Sequence, residues 1–184
     1  MKYIKFLSIL ALTGSLFVAC SDDDDAPAPV NEEEVITTMT VTLSPQGGGT
    51  DITLQTRDLD GDGPDAPVVT VSGDLAANTT YDGSIVLLNE TETPPENVTE
   101  EVEAEDDEHQ FIFVTTGNIA SVEYDDEDGD GNPVGLSFDL TTGDAGAATL
   151  SVTLRHEPTK PNDGTLAGAG GETDITETFD LTIQ

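Results

Sequence analysis

VITTMTVTLSPQGGGTDITLQT, residues 35–56, reads as two strands and the turn between them. In 35–44 the residues Val35, Thr37, Met39, Val41 and Leu43 alternate with Ile36 and further threonines. Successive side chains of a strand point to opposite faces, so this alternation gives one apolar and one polar face from β-branched residues that suit an extended backbone. PQGGG interrupts the pattern with turn residues, and TDITLQT (50–56) resumes it with Ile52 and Leu54 on one face. Two alternating runs on either side of a glycine-rich break predict a hairpin.

The same recipe recurs along the chain. APVVTVS (66–72), TTYDGSIVLLNE (79–90), QFIFVTT (110–116), IASVEYD (119–125), VGLSFDLTT (134–142), AATLSVTLRH (147–156) and TDITETFDLTIQ (173–184) are each bounded by Gly, Asn, Asp or Pro. Short strands at this spacing, with no helices alternating between them, predict an all-β antiparallel sandwich of the immunoglobulin-like or jelly-roll kind over 35–184. The periodicity also argues against disorder, which the low aromatic content and high charge would otherwise suggest. One segment leaves two readings open. PPENVTEEVEAEDDEHQ (94–110) has prolines before its start and Val98 with Val102 at helical spacing. Its far end carries Asp106, Asp107 and Glu108, where a helix dipole favours cations, so a short helix and an acidic loop near 95–108 both fit. GGGTDITL (47–54) and GGETDITE (170–177) echo each other too weakly to define a repeat.

Ahead of the hairpin, residues 1–19 carry Lys2 and Lys5, an uncharged apolar stretch from Phe6 to Val18, and small Ala19. This order predicts a secretory signal peptide. Thirteen residues are too few to cross a bilayer core of about 30 Å as a helix. Cleavage after Ala19 would make Cys20, the sole cysteine, the first residue, which resembles the lipobox of bacterial lipoproteins. Phe17, Val18 and Ala19 depart in part from the strict form of that box. A disulfide within the chain needs a second cysteine, so Cys20 is expected to be a lipid attachment point. Residues 20–34, with Asp22–Asp25 and three glutamates, then form a solvated acidic tether. The acidic patch after the cysteine resembles the surface-export signal of Bacteroidota lipoproteins, which implies an outer-membrane, outward-facing location.

Charge narrows the partners. Beyond residue 19 only Arg57, Arg155 and Lys160 oppose 38 acidic residues. Such a chain repels phosphate backbones and anionic lipid surfaces, so nucleic acid is excluded as a partner and divalent cations are favoured.

Two loops have the spacing of calcium ligands. RDLDGDGPDAP places Asp58, Asp60, Asp62 and Asp65 around Gly63, and DDEDGDGNP places Asp126, Asp128, Asp130 and Asn132 around Gly131. Carboxylates at alternate positions beside a glycine can converge on one hard cation. Both loops lack the glutamate that completes an EF-hand, since Val69 and Ser137 stand twelfth, and the competing reading is an acidic hairpin turn. His109 and His156, the only histidines, each adjoin a glutamate and form a candidate transition-metal pair if the fold joins them. No nucleophile elbow, phosphate-cradling loop or H-E-x-x-H motif occurs, and there is no tryptophan for stacking sugars, so no enzyme is expected.

NEEEVITTMTVTL, DLDGDGPDAPV, LNETETPPENVTEEVE, EHQFIF and TLRHEPTKPNDGTL together resemble a small surface lipoprotein family of flavobacterial (Bacteroidota) genomes. That family often carries the label "type 1 periplasmic binding fold superfamily protein". The label implies two α/β lobes clamping a ligand in a chain of about 300 residues, longer than one typical domain. This chain is too short and too strand-rich for that fold, and the family supplies no activity to carry over. The expected function is therefore a lipid-anchored, non-catalytic binding or accessory module, with calcium as a candidate structural ion. The alternatives are a structural or adhesive surface protein, or a metal-acquisition lipoprotein partnering an outer-membrane receptor.

Overall fold

A computed structural model describes residues 34–61 and 63–184. The expected signal peptide, Cys20, most of the tether and Asp62 lie outside the described residues. The described residues form one compact unit.

The hairpin of the opening stretch is present. β1 (Thr38–Pro45) pairs antiparallel with β2 (Ile52–Arg57), Leu43 facing Ile52. Its apolar phase points inward, and Met39, Val41, Leu43 and Leu54 are fully buried. β3 (Val68–Val71) extends this pair on one side and β4 (Thr80–Asn89) on the other. β8 (Ser137–Thr142) and then β7 (Ile119–Tyr124) continue beyond β4, and the two-residue β5 (Glu96–Asn97) adds to the end of β4. The second sheet has three strands in the order β10 (Glu172–Ile183), β9 (Gly146–His156) and β6 (His109–Gly117). Every strand pair is antiparallel, and the chain is an all-β sandwich of two sheets.

The inner faces share one core. Tyr81, Ile85, Leu87, Phe138 and Leu140 of the large sheet meet Phe111, Leu150, Val152, Leu154, Phe179 and Leu181 of the small one. Phe113 of β6 packs 4.5 Å from Phe138 of β8, ring centroid to centroid, and the Tyr124 hydroxyl donates to the Phe111 carbonyl at 2.8 Å, so aromatic contacts and a hydrogen bond tie the layers. The chain changes sheet at Gly117–Asn118, where Gly117 has φ +71° and a Cβ would lie 2.2 Å from the Ala147 carbonyl oxygen. Only glycine tolerates both the left-handed backbone and that approach. Asn118 Nδ2 donates to the carbonyls of Asp144 and Ala145, bracing this corner against the other crossing between sheets.

The ambiguous segment divides. Val98–Ala104 is a helix, α1, which buries Val98 and Val102 and takes the Thr99 hydroxyl to the Leu87 N–H at 2.8 Å. Residues after Ala104 turn away, because Glu105, Asp106, Asp107 and Glu108 would extend the negative end of the helix dipole. A short helix, α2 (Leu166–Ala169), lies in the arm between β9 and β10. Among the described residues no helix is long and apolar enough to cross a membrane.

Candidate metal centre

At one end of the small sheet two histidines take the place of the next apolar layer. On β6 the inward phase runs Phe113, Phe111, His109, and on β9 it runs Val152, Leu154, His156. The register sets His109 directly opposite His156, with ring centroids 4.7 Å apart. The fold thus joins the two histidines that are remote in sequence.

Two carboxylates close over them. Glu34, in the lead before β1, places Oε1 2.9 Å from His109 Nε2 and Oε2 3.1 Å from His156 Nδ1. Asp174 Oδ1 lies 3.5 Å from the same Nδ1. Asp174 reaches the site through a bulge. The inward residues of β10, Ile175, Phe179, Leu181 and Ile183, are odd-numbered, and a register shift between Thr173 and Ile175 leaves Asp174 unpaired and turned to the imidazoles. A bulge redirects one side chain in this way. Arg155 holds the neighbourhood, donating from Nε to the Gly170 carbonyl at 2.7 Å and also to the Gly171 carbonyl and the Thr173 hydroxyl.

The side chains are sealed from solvent: His109 and Asp174 are 0% exposed, His156 3% and Glu34 4%. One donor atom from each lies within 4.8 Å of the others. The protonation pattern then becomes restrictive. His109 Nδ1 sits 3.0 Å from the Glu105 carbonyl, which can only accept, so Nδ1 carries the proton and a neutral ring turns the Nε2 lone pair on Glu34. Two electron-rich atoms at 2.9 Å need a proton or a cation between them. Both oxygens of Asp174 and His156 Nε2 are buried with no hydrogen-bond partner among the described residues. Burial and the charge of Glu34 push the Asp174 carboxyl up to about 6, against the opposing pull of His156 and His109. Burial lowers the His156 pKa, but the charges of Glu34 and Asp174 outweigh it and the net shift is upward. Each group is held near a state that a positive charge would relieve.

Two protons or one divalent ion could supply that charge. An ion with bonds of about 2.0–2.2 Å to four donors sets neighbouring donors roughly 3.3–3.6 Å apart. Of the contacts here, 3.5 Å has that spacing and 2.9 and 3.1 Å are a few tenths of an ångström shorter, so the Glu34 carboxylate would draw back slightly to admit an ion among four donors that lie within 4.8 Å of one another. Two imidazole nitrogens and two carboxylate oxygens suit zinc and its neighbours, and a 2+ ion exactly balances two buried carboxylates beside neutral imidazoles. In such a centre the Glu105 carbonyl, 3.0 Å from His109 Nδ1, would be the outer partner that orients the imidazole.

The calcium-spaced loops are arranged differently. Asp58 Oδ1 accepts from the Asp60 and Gly61 N–H groups, and Asp60 Oδ2 from Asp65 N–H. In the second loop Asp126 accepts from Gly135 and Ser137 N–H at 2.6 and 3.0 Å. Asp128 accepts from the N–H groups of Asp130 and Asn132, from Asn132 Nδ2, and from Lys160 Nζ at 3.1 Å. These carboxylates organise their own loops, with a lysine as the counter-charge of Asp128.

Glu34 and Asp174 escape a sequence reading for separate reasons. Glu34 stands among acids that look like solvated tether, and Asp174 is out of phase with its strand until the bulge is known. Comparison with protein-family models, curated proteins and solved structures finds no match for the chain.

Proposed function

We propose that the chain is a non-catalytic binding module of the cell exterior, lipid-anchored at Cys20, and that its ligand is one divalent transition-metal ion held by Glu34, His109, His156 and Asp174. The observation that carries this reading is Asp174, an enclosed carboxylate beside an imidazole nitrogen with both oxygens unpaired among the described residues. Buried polar groups in folded proteins are almost always satisfied, and an ion is one of the few things that satisfies two such oxygens at once. Four protein donors fill a tetrahedral ion, and imidazoles exposed by 3% or less offer no substrate an open position, which supports binding over catalysis. The anchor rests on the order of residues 1–20, outside the described part of the chain.

Metal analysis and zinc calorimetry on the full-length protein test the ion. One equivalent per chain is expected, lost in H109A/H156A while the β-sheet circular dichroism persists. A folded wild-type chain that ignores micromolar zinc, cobalt and copper would defeat the reading. Calcium calorimetry serves as the contrast, and intact-mass analysis of the native product reads the acyl chains on Cys20.

A further inference from the structure

The four donors are not equally fixed. His109 opens β6, His156 ends β9 and Asp174 sits in the bulge of β10, so three donors ride on the three strands of one sheet. Glu34 rides on none. It precedes β1 by four residues, and the first backbone hydrogen bond of this lead among the described residues is Thr37 N–H to the Leu88 carbonyl at 2.9 Å. Ile36 packs at the edge of the core and Val35 is 58% exposed, so among the described residues upstream of Ile36 the lead is held by the Glu34 carboxylate.

Resting on the divalent-ion reading, we propose that Glu34 is a displaceable ligand and that an external neutral nitrogen donor, an imidazole, takes its position, making the centre an exchange site from which the ion can be handed on. The step is a ligand substitution. The Glu34 oxygen–metal bond breaks, a nitrogen–metal bond forms, the ion keeps its 2+ charge and four donors, and Glu34 leaves as a carboxylate into water. The sheet framework keeps three bonds throughout, so the sandwich need not unfold. The surroundings select the class of donor. The acidic C-terminal end of α1 lies against the centre: the Glu105 carbonyl touches His109 Nδ1 at 3.0 Å and the Glu105 N–H bonds the Glu101 carbonyl, which brings Glu101 and Glu105 close by. An anionic chelator meets this negative charge at a disadvantage that a neutral imidazole does not.

Cobalt-loaded full-length protein tests the inference, because the visible spectrum of the ion reports its donors. Imidazole, and separately a short histidine-bearing peptide, should shift the wild-type spectrum, while acetate at equal concentration should not. In E34A and E34Q the ion should stay bound, imidazole should act at concentrations at least about tenfold lower, and zinc should pass to a colorimetric chelator at least about tenfold faster. H156A should fail to hold the ion. A response to imidazole but not to the peptide would identify small molecules as the exchange partners, still within the proposal. Variants at Glu34 that exchange as slowly as wild type, or that lose the ion as fully as H156A, would overturn it, as would a wild-type spectrum indifferent to imidazole. A wild-type chain that takes up no cobalt would overturn the ion reading itself, and the exchange with it.

Discussion

The carboxylate of Asp128 is nearly enclosed, and burial alone would raise its pKa; hydrogen bonds from Asn132, Lys160 and the Asp130 N–H instead hold it down to about 2. A carboxyl whose folded value lies below its unfolded value of about 3.9 adds stability above that pH and loses it as pH falls through the folded value. Asp128→Asn should therefore cost roughly 1.5–3 kcal/mol at pH 7, the worth of hydrogen bonds to a charged group, with the gap to wild type closing between about pH 4 and 2. Urea unfolding at pH 7 and near pH 2.5 checks both the loss and its closing. At this scale sequence is half legible. H-x-F-x-F and V-x-L-x-H show two histidines in the apolar phase of their strands, so their burial can be read. That they face each other depends on strand register, which alternation does not encode. The engagement of Asp126 and Asp128 with backbone N–H groups is equally hidden, since ligand spacing and turn spacing coincide.

β4 carries the large sheet, pairing with β1 on one side and β8 on the other. Its inward phase includes Gly83, where a Cβ would lie 2.5 Å from the ring of fully buried Phe138. Gly83→Ala should destabilise the fold by about 1–3 kcal/mol, as overpacking does, seen as a lower denaturant midpoint with an unchanged slope. A midpoint equal to wild type would mean the Phe138 ring moves aside freely. All nine segments expected as strands are strands in the structure, because period-two alternation and Gly, Asn, Asp and Pro punctuation mark an element locally. The 94–110 stretch was ambiguous for a physical reason: seven residues with two buried valines can be helical, and the four acids that follow cannot profitably extend them. The two-residue β5 and the bulge at Asp174 are too local to leave a periodic trace.

For the molecule as a whole, the ion would bind the folded chain and not the unfolded one. At a free concentration of 100 times its dissociation constant such a ligand stabilises by about 2.7 kcal/mol, which for a chain of this size raises Tm by roughly 5–10 °C. Differential scanning calorimetry with zinc should show that rise in the wild type and none in H109A/H156A. The sandwich class was legible from the number and spacing of strands. The partition into a large and a small sheet was not, because β4 with β8 and β6 with β9 are pairings between segments remote along the chain. The centre depends on that partition, since it gathers β6, β9 and β10 at one end.

Each of the three Lys and Arg side chains among the described residues is engaged in holding the fold together. Arg57 grips Glu90 through Nε and Nη2 at 2.9 and 2.7 Å, Arg155 clamps the arm ahead of β10, and Lys160 joins the Asp128 loop to the Asp106 carbonyl. What remains facing outward is overwhelmingly of one sign, so neighbouring copies crowded together repel one another. The range of that repulsion is set by the medium, about 30 Å in dilute 0.01 M salt and about 8 Å at 0.15 M. A carpet of these molecules would space its own members, standing loose in fresh water and drawing close in brine.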